Sequence, residues 1–466
     1  MSSELASPTY VSALGGGLIR RWSTAADTEK LARLLGTVFR DEHDEMPNPR
    51  LMGEARLMMQ PIFPHMTAVD IAVVEDTGKP ERPLVASVAF WRHQWSYAGI
   101  PFGVTRPEMV ATDPAYRKRG LVRALFEMIH ARSAAEGHLL QGITGIPYFY
   151  RQFGYDYVLD LDGSRTTYFS LIPSKQGDEP EPCSLRLATL QDVEQIVALY
   201  KQQRPNSLVW HEAPASYWQF AIRAWDDPAI REQDVRTVGI NGRYWMILTV
   251  DQTVCGYAWV ATRRRGRALA VRELAFASQV DLPRLVPSLL RRLRDQGQQT
   301  PAYRPDAPPC SEITFQLGRV HPLYDLLGDA LAPRVEPPYA WFVRIPDLPA
   351  FLRHVAPALE ERLAQSVLAG YTGGVKIDLY REGLQLHFAR GSLIGIESCQ
   401  PIIYEDDRSV LGCPPLTFLQ LLLGYRSLAE LCAIYPDVLV KDEQRLLVNT
   451  LFPKQPSSVE PLGYIE

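Results

Sequence analysis

The sequence has few cysteines and no pattern among them. Cys183, Cys255, Cys310, Cys399, Cys413 and Cys432 are scattered over 466 residues, with no Cys-x-x-Cys pair and no histidine at metal-ligand spacing. This argues against a disulfide framework and a zinc module, and the expectation is a reduced, cytoplasmic protein with no metal. Long apolar runs are lacking too. The longest, around residues 416–423, is far below the roughly 20 residues of a spanning helix. The opening Met-Ser-Ser-Glu leads into no apolar signal core, so no membrane partner is expected. Charge of one sign is missing as well. A net charge of −4 gives no global field to attract nucleic acid or an acidic membrane. The remainder is ordinary for a globular protein, with 46% hydrophobic and 22% charged residues. The length suggests two to four domains.

Residues 110–123, VATDPAYRKRGLVR, are the most informative stretch. An apolar strand ends at Thr112, and Asp113-Pro114 breaks it because Pro cannot continue a ladder. Arg117-Lys118-Arg119-Gly120 follows, and Leu121, Leu125, Met128 and Ile129 then recur at helical spacing. A helix start carries free backbone N–H groups and a partial positive charge, so it can hold an anion. The stretch reads either as a pyrophosphate-binding loop or as a solvated basic turn before an amphipathic helix.

Around it the chain reads as one α/β unit. A strand at residues 18–22 precedes a helix that starts at Thr24 and Asp27 with a capping-box pattern, with Leu31, Leu34, Leu35, Val38 and Phe39 on one face. The helix runs into the acidic cluster at residues 41–45, either a solvated loop or a rim that attracts cations. Strands are expected at residues 68–74, 84–95 and 139–144, and residues 148–155 close a mixed sheet with helices on it. The unit then repeats. Residues 21–34 align without gaps with residues 186–199, with Arg, Thr, Asp and Glu at the same positions, and residues 86–91 resemble residues 255–260. A hydrophilic linker at residues 173–182 separates the copies. The second copy has no Arg-x-x-Gly loop before its helix at residues 285–293 and is read as structural. Its basic run at residues 263–267 is read as a solvated hairpin turn.

A third region begins near Pro346. One helix stripe spans residues 348–363, a hairpin alternates over residues 375–380 and 384–388, and two apolar helices are expected at residues 415–423 and 427–434. The last two would serve a core or line a lipid pocket.

Three motifs in this order carry a resemblance: Pro114-Ala-Tyr-Arg-Lys-Arg-Gly-Leu, Tyr150-Arg-Gln-Phe-Gly-Tyr, and Pro415-Leu-Thr-Phe-Leu-Gln-Leu-Leu-Leu-Gly-Tyr-Arg followed by Leu451-Phe-Pro. Arg117 to Val122 resembles the Q/R-x-x-G-x-G/A loop of the GNAT acetyltransferases, with Val122 in the second small position. The chain as a whole resembles the Eis (enhanced intracellular survival) type of that family. The resemblance implies an α/β (α+β) fold with a catalytic GNAT domain at 1–172, a degenerate GNAT-like domain at 183–345, and a C-terminal domain similar to sterol carrier proteins at 346–466. It implies transfer of an acetyl group from acetyl-CoA to a primary amine of an aminoglycoside, polyamine or lysine, and a homo-oligomer such as a hexamer. Under it, Val110, Ala111 and Thr112 hold the pantetheine and polarise the thioester. Lys118, Arg119, Gly120, Leu121, Val122 and Arg123 wrap the pyrophosphate, with Arg117 supporting the loop. Gly145 and Ile146 lie beside the cofactor, Tyr150 is the general acid, and the C-terminal carboxylate of Glu466 is the general base. The family usually ends on an aromatic residue or close to one. If Tyr464 takes that place here, the carboxylate is displaced by roughly 6 to 7 Å of extended chain.

A backbone N–H aimed at the developing oxyanion contributes roughly 3 kcal/mol. Protonation of a thiolate near pKa 8.5 by a tyrosine near 10 costs roughly 2 kcal/mol. The base step is harder, because an alkylammonium and an α-carboxylate lie roughly 9 kcal/mol apart unperturbed. Burial or a water relay has to close that gap. The rival readings are a non-catalytic lipid carrier built on the third region and a CoA-binding pseudoenzyme.

Overall fold

The computed structural model describes residues 2–40, 45–175, 177–226, 241–401, 411–457 and 459. The expected mixed α/β architecture is found, built on three sheets. The first repeat opens with a turn of helix α1 (Ser2–Leu5), strands β1 (Val11–Gly15) and β2 (Leu18–Trp22), and helices α2 (Thr28–Val38) and α3 (Pro49–Met58). Strands β3 (Ile71–Asp76), β4 (Leu84–Tyr97) and β5 (Ile100–Thr112), helix α4 (Leu121–Ala135), β6 (Leu140–Ile143), β7 (Asp156–Leu161) and β8 (Ser164–Tyr168) follow. The second contains β9 (Cys183–Leu187), α5 (Val193–Lys201), β10 (Val209–His211), α6 (Ala215–Asp226), β11 (Gly242–Thr249), β12 (Val254–Ala261), β13 (Ala268–Phe276), α7 (Leu282–Gln299), β14 (Glu312–Phe315), α8 (Pro322–Leu331), β15 (Arg334–Glu336) and β16 (Tyr339–Arg344).

The same ion-pair clamp opens both repeats. Arg21 grips Asp27 with two bonds of 2.8 Å, and Asp27 accepts from the Thr24 backbone N–H at 2.8 Å. Arg186 grips Asp192 at 2.8 and 2.7 Å, and Asp192 accepts from the Thr189 N–H at 2.7 Å. Three of the four polar residues shared by the aligned copies therefore do one job, a bidentate capping box at the helix start.

The sheets do not follow the linear division of the chain at residues 172 and 345. The first sheet runs β1-β2-β3-β4-β5-β6-β16-β7, and the second runs β15-β8-β14-β13-β12-β11-β9. Strand β16, from the end of the second repeat, lies between β6 and β7 of the first and is antiparallel to both. Strand β8, from the end of the first, lies between β14 and β15 of the second. The two repeats have exchanged their last strands. Strand β10 adds a further link, pairing with residues 95–97 of β4.

The third region holds α9 (Leu348–His354), α10 (Ala356–Ala364), β17 (Gly373–Asp378), β18 (Gly383–Ala389), β19 (Ser392–Cys399), β20 (Leu411–Gly412), α11 (Pro415–Leu422), α12 (Leu428–Ile434), β21 (Leu439–Val440) and α13 (Asp442–Leu451). The single stripe expected over residues 348–363 is two helices that meet at Val355, with Pro357 in the first turn of α10. Pro fits a first turn but not a helix interior. The apolar run at residues 415–423 fills a core. Phe418, Leu421, Leu422 and Leu423 are fully buried, in one cluster with Tyr97 and Phe102 of the first sheet. The Tyr97 hydroxyl donates to the Leu422 carbonyl at 3.0 Å. No described helix is long and apolar enough to cross a membrane, and all six cysteines are free.

Three histidines, His65 and His211 buried and His93 half-buried, lie where β4 meets the second repeat. His65 stacks on His93 at 4.3 Å, and His93 Nδ1 and His211 Nε2 share one hydrogen bond of 3.0 Å. Burial holds all three below the ordinary imidazole range, His65 at about 3. Burial also lowers His130 to about 3 and His321 to about 4. Between pH 6.5 and these values the unfolded chain takes up protons that the folded chain refuses, so stability falls as pH falls through that window. Urea titrations at pH 7.5, 6 and 5 should give midpoints that decrease in that order, and an unchanged midpoint would contradict the neutral buried imidazoles.

Candidate active site

A bulge in β5 starts the site. Glu108 faces Ala89 and Ala111 faces Ser87, so β5 has one residue more than β4 over this span. Met109 takes a left-handed φ of 49°, and its carbonyl accepts from Ser87 Oγ at 3.1 Å. Such a bulge turns backbone groups out of the ladder. On its other edge β5 pairs with β6 only at Val104–Leu140 and Thr105–Gln141. Beyond that point the parallel strands part, and residues 108–110 and 144–146 line opposite sides of a cleft of about 1300 Å³. Val110 lines the cleft, whereas Ala111 is buried beneath it and Thr112 is half-buried, its Oγ1 without a hydrogen-bond partner among the described residues.

The basic loop leads from β5 into α4. Asp113 accepts from the Ala115 N–H at 2.9 Å, and Lys118 and Gly120 take left-handed φ values of 63° and 74°. Gly120 is the N-cap of a 15-residue helix and offers no side-chain cap, so the first-turn N–H groups stay available. A Cβ on Gly120 would meet nothing within 4 Å, so the space before the helix is open. Arg117, Lys118 and Arg119 are exposed, and Arg119 lies over the Tyr116 ring at 4.9 Å. Val122 is half-buried, and Arg123 donates to Gln152 at 3.1 Å. An uncapped N-terminus, three exposed cations and an open approach fit a pyrophosphate.

The second repeat closes each of these features. Strand β13 carries its own one-residue bulge, with Trp259 opposite Glu273 and Val260 opposite Val271, but it lies away from the equivalent point, where Ala258 faces Leu274 and Gly256 faces Phe276 in regular register. Strands β13 and β14 pair over four rungs rather than two. Beyond them His321 Nε2 bonds the Leu274 carbonyl at 3.0 Å, and the remaining cavity is about 60 Å³. The start of α7 is capped by Asp281, which accepts from the Arg284 N–H at 3.3 Å. A carboxylate thus holds the place that the first repeat leaves open for an anion.

Geometry separates the tyrosines of residues 148–155. Tyr148 is 70% exposed, and Tyr155 is fully buried with its hydroxyl bonded to Gln141 at 3.2 Å and His130 at 3.0 Å. Tyr150 is 3% exposed, lines the cleft beside Gly145 and Ile146, and its hydroxyl makes no hydrogen bond among the described residues. Tyr150 sits on a short 3-10 turn, Phe149–Phe153. Burial, with the Glu108 charge adding to it, raises the Tyr150 pKa above the ordinary phenol value. The group therefore stays protonated at neutral pH and can donate.

The far wall brings residues that the sequence reading missed. Helix α3 places Arg50, Leu51 and Glu54 on the cleft, with Arg50 and Glu54 paired at 3.1 Å. Its start was legible in Asn48-Pro49, an N-cap followed by a first-turn Pro. Glu108 is paired with the buried Arg106 at 2.7 Å, and Arg106 lies between the Trp91 and Trp341 rings at 5.3 and 5.0 Å. The run at residues 263–267 is no mere solvated turn. Arg264 bonds the Thr300 carbonyl at 3.2 Å and the Pro308 carbonyl at 2.6 Å, fastening a loop that brings Arg265, Gly266, Tyr303, Arg304 and Asp306 to the cleft. Residues 41–44 of the acidic cluster and Glu466 lie outside the described residues. Of residues 458–466 only Val459 is described, its carbonyl accepting from the Trp341 indole N–H at 2.7 Å. No group of three or more described His, Cys, Asp or Glu residues is placed to hold a metal ion.

Residues 19–158 match the family model described as Acetyltransferase (GNAT) domain. No curated protein matches the chain. Several solved structures share its fold. A probable N-acyltransferase from Enterococcus faecalis V583 superposes with a TM-score of 0.64 at 14% identity, covering 95% of this chain and 98% of that one. A GCN5-related N-acetyltransferase from Anabaena variabilis gives 0.63 at 14% identity, over 94% and 98%. Eis1 from Mycobacterium abscessus gives 0.57 at 14% identity, over 95% and 99%. The match to the GNAT family model thus lies within the first repeat, and the likeness over the rest of the chain is one of fold.

Arg117→Ala and Lys118→Ala each remove an exposed cation. Each is expected to weaken acetyl-CoA binding about tenfold, the contribution of one charge-assisted hydrogen bond, and to leave the melting temperature unchanged. Calorimetric titration with acetyl-CoA and thermal melts check the two halves.

Proposed function

We propose that the chain is an acetyl-CoA-dependent N-acetyltransferase that moves an acetyl group to a primary amine by direct attack on the thioester. One contrast carries the reading. The first repeat combines a bulge at the cleft, an uncapped helix start and a buried tyrosine whose hydroxyl makes no hydrogen bond among the described residues, whereas the second closes the cleft and caps the helix. Acetyl-CoA, when bound, supplies the acetyl thioester. In this reading the backbone at Val110, Ala111 and Thr112 binds the pantetheine and polarises the carbonyl. Arg117, Lys118, Arg119, Gly120, Leu121, Val122 and Arg123 hold the pyrophosphate, and Gly145 and Ile146 flank the acyl end. The amine nitrogen bonds to the carbonyl carbon as the carbon–sulfur bond breaks. Tyr150 gives its proton to the departing sulfur and regains one from solvent.

The amine's proton needs a base. The C-terminal carboxylate of Glu466 is one candidate, supported by Val459, seven residues before it, which is bonded to the Trp341 indole. Glu108 is a second, favoured by its place on the cleft wall. Phe39, helix α3 and the loop at residues 303–308 would frame an amine acceptor such as an aminoglycoside, polyamine or lysine. The resemblance to sterol carrier proteins in the third region, the homo-oligomer and the cytoplasmic location remain part of this reading.

Coenzyme A release is measured with acetyl-CoA and a panel of polyamines, aminoglycosides and lysine peptides. Tyr150→Phe should lower kcat by about a hundredfold, as the loss of a general acid does, with the KM for acetyl-CoA within about twofold. Release that no amine stimulates would reject transfer to amines. Removal of Glu466 and Glu108→Gln, assayed separately, decide between the bases: the true base loses kcat and the other does not.

A further inference from the structure

We propose that Phe342, on the strand exchanged from the second repeat, is a positioning residue for Tyr150 in the first. The proposal rests on reading Tyr150 as the proton donor. With no hydrogen bond from its hydroxyl among the described residues, the Tyr150 ring is aimed by packing. Its ring neighbours are Phe149 at 5.2 Å, Phe342 at 5.4 Å, Phe126 at 6.0 Å and Tyr155 at 6.4 Å. Three of these belong to the first repeat, and Phe149 adjoins Tyr150 on the same turn and moves with it. Phe342 is different. It is fully buried, meets the Tyr150 ring edge-on at 71°, and lies 4.0 Å from Tyr157 on its other side.

The height of Phe342 is set by two ladders. It faces Ile143 of β6 and Tyr157 of β7. Ile143 directly precedes the cleft lip at Thr144 and Gly145, so the register that places the ring also places the lip. The neighbouring residue Trp341 packs into a different core cluster, which shows that the strand presents the two rings to opposite faces. A shorter side chain at position 342 would leave a void beside Tyr150 and let its ring turn. Misplacing a reacting group by a fraction of an ångström to 1 Å lowers rate steeply.

The test uses the full chain with Tyr150→Phe, Phe342→Leu and the double variant, and measures kcat and the KM for acetyl-CoA, with thermal melts as the folding control. Phe342→Leu should lower kcat roughly tenfold with the KM for acetyl-CoA within about twofold, and it should add nothing in the Tyr150→Phe background. If Phe342→Leu does not fold, Phe342→Met replaces it in the same comparison. A wild-type kcat for the Phe342 variant, or a loss that multiplies with that of Tyr150→Phe, overturns the positioning role and leaves the acid intact. A wild-type kcat for Tyr150→Phe removes the acid reading, and this inference with it.

Discussion

The exchange of β8 and β16 is the constraint on which the rest of the molecule depends. Each strand lies inside the sheet of the other repeat, with a hydrogen-bonded neighbour on both edges. Taking either away would leave two rows of buried backbone N–H and C=O groups without partners, a cost of a few kcal/mol for each fully buried group. Neither repeat closes its sheet alone, so the catalytic unit in this reading includes a piece of its degenerate partner. The side chains of β16 follow the same logic. Trp341 stacks on Arg106 and bonds the tail at Val459, and Phe342 packs on Tyr150.

The two repeats hold an open cleft and a closed one in one frame. The clamp of Arg, Thr and Asp persists in both copies because it caps a helix that each fold needs. The features that differ are those that would touch a ligand. A capping aspartate and a plugging histidine in the second repeat, with its bulge in a different place, accompany the difference between a cavity of about 1300 Å³ and one of about 60 Å³. The second repeat still acts on the first, through its exchanged strand and through the loop that Arg264 fastens across the cleft.

Much of this was legible in the sequence. The gapless repeat exposed the clamp, and the Arg-Lys-Arg-Gly loop stood out because Gly and clustered cations before an apolar-periodic helix have a physical use. The mixed sheet followed from strand and helix periodicities. Strand exchange was not legible, since alternation marks a strand without naming the neighbour it pairs with. The break between α9 and α10 was signalled by Pro357 and was overridden by a continuous apolar stripe. Helix α3, whose Arg50 and Glu54 line the cleft, had a start signal in Asn48-Pro49 that the acidic cluster before it obscured. The part of the run at residues 263–267 that faces the cleft had no local signal, because only tertiary folding brings that hairpin to the first repeat.

The central claim is that one repeat of the two holds acetyl-CoA. Isothermal titration of the intact chain with acetyl-CoA tests it most directly, through the number of sites per chain. The account predicts a single site, weakened by substitutions at Arg117 and Lys118 and indifferent to Asp281→Ala. Two sites per chain, or one site that survives the loop substitutions and responds to Asp281, would contradict it.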